Sequence, residues 1–119
     1  MQPISNYAGN EMSLKLPKPV AIYLAAEQAK NIDMLALCFA DDAIVHDEGR
    51  DYRGLDAIKS WKQAADIKYR YVAEPLSASI GEKTVTLLVR LTGDFPGSPV
   101  ELDYTFTLAH DKIASLIIQ

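Results

Sequence analysis

The stretch FADDAIVHDEGRDYRGLDAIKSW, residues 39–61, decides the fold. Residues 43–47, AIVHD, have two β-branched side chains at their centre and read as a strand. Side chains on a strand alternate faces, so Ala43, Val45 and Asp47 share one side and Ile44, His46 and Glu48 the other. Ala43 and Val45 are apolar, so their face should point inward and take the Asp47 carboxylate with it. Gly49 breaks the run, and residues 51–53 read as a short returning strand. Gly54 then opens a helix over residues 55–67, with Ile58, Trp61 and Ala65 on one side.

Upstream, Pro17 and Pro19 suit the first turn of a helix, where a missing N–H costs nothing. Val20, Tyr23, Leu24 and Glu27 then recur at helical spacing, which predicts a helix over residues 18–29. Asn31 is a natural N-cap with Asp33 behind it, and a short second helix is expected over residues 32–39. Downstream the period changes. Residues 69–80, 84–91, 100–109 and 112–118 read as strands, with tight turns at 81–83 and 110–111. The FPGSP run at 95–99 reads as a rigid loop. Helices come first and long strands last. That segregation indicates an α+β domain with helices packed on one face of an antiparallel sheet.

The 119 residues suffice for one domain with one core. Residues 1–16 are polar and turn-rich and read as an N-terminal arm, leaving the domain at 17–119; Met12 is an alternative start. Net charge is −4, from 12 basic and 16 acidic residues, and no basic run stands out. Nucleic-acid binding, which needs a positive footprint, is not expected, nor is attachment to an acidic membrane surface. No apolar run reaches the roughly 20 residues of a membrane helix. The single cysteine, Cys38, excludes an internal disulfide and fits a reducing cytoplasm.

This arrangement resembles the nuclear transport factor 2-like superfamily, over residues 18–119. That group includes ketosteroid isomerase, scytalone dehydratase and the polyketide cyclases. The resemblance implies a cone-shaped, strongly curved sheet wrapped around helices, enclosing an apolar pocket, and a homodimer formed through the outer sheet face. YLAAEQAKNIDMLALCFADDAIVHD, residues 23–47, is similar without a gap to the opening of ketosteroid isomerase. There a helix tyrosine and a strand aspartate lie as far apart as Tyr23 and Asp47. A second aspartate, nine residues before a strand-opening lysine, matches Asp103 before Lys112. The resemblance therefore implies Asp47 as a general base, with Tyr23 and a protonated Asp103 as donors to an enolate oxygen. Strand alternation reads Asp103 differently. It falls with Thr105 and Thr107, opposite Tyr104, Phe106 and Leu108.

Phe39, Trp61, Leu87, Val89, Leu91 and Phe95 are the expected pocket lining. His46 and Glu48 are expected outside, and His110 lies in a turn. Three convergent ligands are not brought together, so neither a metal nor a cofactor is expected. The function this supports is a pocket for a small apolar molecule, and with it cofactor-independent isomerase, cyclase or dehydratase chemistry on a carbonyl compound. A non-catalytic ligand-binding protein and a protein-interaction module are the alternatives.

Overall fold

A computed structural model describes residues 15–119, so the expected arm lies almost wholly outside the described residues. Helix α1, Lys18–Ala29, starts at Pro17 and Pro19 as the sequence dictates. It stops at Lys30, whose left-handed backbone turns its N–H back to the carbonyls of Ala26 and Glu27. The expected second helix is broken in two. Asn31 accepts the Asp33 N–H at 3.1 Å and caps a 3₁₀ turn, Ile32–Met34; a single helical turn, α2, follows at Leu35–Cys38. It ends there because Phe39 is already extended and begins the first strand.

Strand β1, Phe39–Asp47, starts four residues before the expected one, and β2, Arg50–Arg53, pairs back onto its far end. Helix α3 is Leu55–Tyr69. Strands β3 (Val72–Ile80), β4 (Thr84–Thr92), β5 (Val100–Ala109) and β6 (Lys112–Ile118) complete the domain. β3 begins later than expected because α3 keeps its helical turn through Tyr69 and is closed by a left-handed Arg70.

The six strands form one sheet in the order β2-β1-β6-β5-β4-β3. Four of its five pairings are antiparallel, as expected, and the sheet is mixed because β1 and β6 run parallel. Hairpin partners must be antiparallel, but β1 and β6 are joined through α3 and the rest of the sheet, and that connection allows either direction. Register shifts within β1, β3 and β5–β6 bend the sheet, as bulges do. The curved sheet stays unclosed, with β2 and β3 at its edges.

Helix α1 lies in the concavity. Tyr23 is completely buried and meets Phe39, Tyr104 and Phe106 edge to face, with ring centroids 5.8, 6.3 and 5.5 Å away. Leu35, Ile58, Leu87, Ile113 and Leu116 fill the space around them. This packed end of the cone leaves the other end, between α3 and β4–β6, to be hollow. No helix among the described residues is long and apolar enough to cross a membrane.

Candidate functional site

The hollow end is a cavity of about 430 Å³, a volume typical of small-molecule sites. Helix α3 forms one wall with Trp61, Lys62, Ala65 and Tyr69. Leu91, Val100, Leu102 and Tyr104 from β4 and β5, with Ile118 from β6, form the opposite wall. The loop after β4 brings Phe95, Pro96 and Gly97 to the mouth. Gly93 seats that loop. A Cβ there would come within 2.7 Å of the Tyr69 carbonyl oxygen and 2.8 Å of Tyr71 Cα. Only glycine lets the loop lie this close to the two tyrosines that border the cavity.

Asp47 ends β1 in this cavity. The Trp61 indole N–H donates to its Oδ2 at 3.0 Å. Burial lifts the Asp47 pKa above its ordinary carboxylate value, and the neighbouring Glu48 adds to the rise. The Trp61 donor and the Lys62 ammonium pull the other way without cancelling it. The result is a carboxylate with raised proton affinity beside an apolar space.

A second polar group occupies the cavity wall, built around Glu27. This residue is 1% exposed and Lys62 2% exposed. Lys62 Nζ lies 2.6 Å from Glu27 Oε2 and also donates to the Tyr71 hydroxyl. The hydroxyls of Tyr71, Tyr104 and Tyr23 point at the same Oε2, at 2.9, 3.2 and 3.4 Å. Asp66 stands 3.7 Å from Lys62 and 3.8 Å from Lys30. Lys30 in turn donates to the Tyr71 carbonyl at 2.6 Å. Burial, reinforced by the Glu27 carboxylate, drives the phenol pKa values of Tyr23, Tyr71 and Tyr104 far up, so all three hydroxyls keep their protons.

Of the residues expected at the site, Asp47, Trp61, Leu91 and Phe95 line the cavity. Tyr23, Phe39, Leu87 and Val89 are buried in the packed end of the core and are not among the lining residues. Tyr23 reaches the cavity only through Glu27. Asp103 is exposed on the outer face of β5, while its neighbours Leu102 and Tyr104 turn to the cavity. Strand alternation thus overrides the position implied by resemblance, and an exposed Asp103 lacks the apolar surroundings a protonated acid needs.

His46 lies outside, as expected, with Nδ1 2.6 Å from Asp51 Oδ1. Glu48 departs from expectation. It is exposed but borders the cavity, because its backbone turns left-handed at φ 53° and alternation ends there. Its carboxylate accepts the Tyr69 hydroxyl at 2.7 Å. Cys38 is buried, and burial pushes its thiol up to about 12, which leaves it inert as a nucleophile. Among the described residues no three His, Cys, Asp or Glu side chains converge as metal ligands would.

Sequence reasoning missed Glu27, Lys62, Tyr71 and Tyr104. Glu27 did leave a signal: an acid on the apolar stripe of α1 must be buried, and a buried acid needs a buried cation.

A SnoaL-like domain matches residues 20–116. Among solved structures, a candidate polyketide cyclase from Sinorhizobium meliloti is 41% identical, with a TM-score of 0.85; the match covers 87% of this chain and 95% of that one. A Catenulispora acidiphila protein with a ketosteroid isomerase-like fold, solved with trimethylamine, is 21% identical over 88% of this chain and 86% of that one, with a TM-score of 0.76. A nuclear transport factor 2-like protein of unknown function from Cytophaga hutchinsonii is 11% identical over 92% and 93%, with a TM-score of 0.74. These last two likenesses bear on the fold alone. No curated protein matches the chain. The match across residues 20–116, together with the Sinorhizobium relative, places the chain in the SnoaL-like family of the nuclear transport factor 2-like superfamily.

Proposed function

We propose that this protein is a cofactor-independent isomerase or cyclase acting on a small, largely apolar carbonyl compound, with Asp47 as general base. One observation carries the reading: a carboxylate of raised proton affinity, held by an indole N–H at 3.0 Å, in the wall of a cavity large enough for such a compound. The name of the Sinorhizobium relative supports the same class of chemistry.

Asp47 takes a proton from the carbon beside the carbonyl, and the C–H electron pair becomes an enolate. A raised proton affinity brings the base closer to the weak carbon acid it must deprotonate. The enolate then takes the proton back at another carbon, which is isomerisation. Alternatively its carbon adds to a second carbonyl of the same molecule, the C=O π pair becomes an alkoxide, and that alkoxide takes the proton back from Asp47, which is cyclisation. Charge developing on oxygen needs donors already in place. Lys62 borders the cavity, and its ammonium keeps a third N–H beyond those given to Glu27 and the Tyr71 hydroxyl. Tyr23 acts one step back, by helping to hold Glu27.

The test is conversion of an unconjugated ketosteroid to its conjugated enone, followed by ultraviolet absorbance in wild type and Asp47→Asn. Turnover in the wild type that falls by about 10²–10⁴-fold in the variant supports the reading, that being the usual worth of a general base. Equal turnover in both proteins removes Asp47 as the base.

A further inference from the structure

The Glu27 carboxylate is supplied from one side only. Oε2 faces Lys62, Tyr71, Tyr104 and Tyr23, four donor groups on one oxygen. Oε1 is buried and has no hydrogen-bond partner among the described residues. Buried carboxylate oxygens without donors are costly and uncommon. Glu27 also borders the cavity, so the missing donor has a place from which to come.

We infer that the Glu27 carboxylate is a ligand-binding group that accepts a hydroxyl of the bound molecule, so the cavity takes a hydroxylated apolar compound. This deepens the proposed function, since it names the substrate class as a hydroxy carbonyl compound, and it rests on that reading only for the carbonyl.

Charge decides between a hydroxyl and an ammonium group. Buried Glu27 and Lys62 lie 2.6 Å apart, and part-buried Asp66 lies within 3.7 to 3.8 Å of Lys62 and the exposed Lys30, so the group is already neutral. An ammonium group brought to Glu27 would also meet the Lys62 ammonium, which lies 2.6 Å from the same carboxylate. A neutral O–H donor adds the missing hydrogen bond without that repulsion. Its own oxygen, left with lone pairs, can accept the third N–H of Lys62, which neither Glu27 nor the Tyr71 hydroxyl takes. The same corner of the cavity can thus engage a hydroxyl both as donor and as acceptor.

The test uses beta-naphthol, its methyl ether and naphthalene, titrated at neutral pH by fluorescence into wild type, Glu27→Gln and Asp47→Asn. The three probes share an apolar body and lack a carbonyl, so binding is read apart from turnover. Wild type should bind beta-naphthol about tenfold more tightly than the ether, the size expected for one hydrogen bond to a charged acceptor. In Glu27→Gln the ratio should fall to near one, and in Asp47→Asn it should persist. Should Glu27→Gln not fold, the pair Glu27→Gln with Lys62→Gln removes both charges together and carries the same comparison. Equal binding of naphthol and ether by the wild type overturns the inference. So does a preference that survives in Glu27→Gln, or one that Asp47→Asn abolishes. Loss of turnover in Asp47→Asn with the naphthol preference intact would uphold both readings separately.

Discussion

Trp61 and Asp47, fourteen residues apart in sequence, meet in the cavity wall through an indole N–H donated to Oδ2 at 3.0 Å. The bond joins α3 to the end of β1 and favours the ionised carboxylate, against the burial that disfavours it. It fixes both where the carboxylate sits and how readily it gives up its proton.

Replacing Trp61 by Phe therefore shifts the pH dependence of catalysis in a defined direction. The base must be ionised, so kcat/KM rises with pH through the Asp47 pKa. Burial already raises the Asp47 pKa above its ordinary value. Without the indole donor the limb moves higher still, and a pH–rate profile of the two proteins measures it. A limb that moves to lower pH contradicts the assignment.

The same raised pKa has a consequence for stability. Folded Asp47 holds its proton more tightly than unfolded Asp47. The stability gained from that proton is fully present below the ordinary carboxylate value and is lost as pH rises through the raised one. Asp47→Asn keeps an oxygen to accept the Trp61 N–H and never ionises. It should melt above wild type at neutral pH, with the difference closing on acidification. Thermal melts across pH report this, and stabilisation at the expense of activity is the usual mark of a functional acid.

Glu27 and Lys62 depend on each other. Lys62→Met leaves a carboxylate uncompensated in a site that is 1% exposed and should cost about 3–5 kcal/mol of stability. Adding Glu27→Gln to that variant should restore most of the loss. Urea unfolding of the two single variants and the double one closes the cycle. Additive losses would show that the two charges do not pair.

The fold was legible because its signals are local and periodic. The alternation in residues 43–47 oriented Asp47 inward, and Pro17, Asn31 and Gly54 marked element starts that the structure keeps. The parallel contact of β1 with β6 left no local trace, since it joins the first strand to the last. Asp103 shows two lines of reasoning in conflict, and the strand period decided it. The Glu27 group was hidden for another reason. Its donors come from α1, α3, β5 and the residue just before β3, and no sequence spacing brings Lys62 and Tyr104 to one oxygen. Lys62 follows Trp61 directly, and a lysine on a helix is ordinarily solvated. Only the nearby Glu27 carboxylate makes its burial tolerable.

As a general base, Asp47 moves a proton on a carbon beside a carbonyl. Hydrogen–deuterium exchange at that carbon tests it most directly, because exchange requires proton removal and nothing later. The measurement is nuclear magnetic resonance of tetralone in deuterium oxide, with wild type, with Asp47→Asn and with buffer alone. Exchange should be catalysed by the wild type and fall to the buffer rate in the variant. Exchange by Asp47→Asn as fast as by wild type would contradict the general-base role of Asp47.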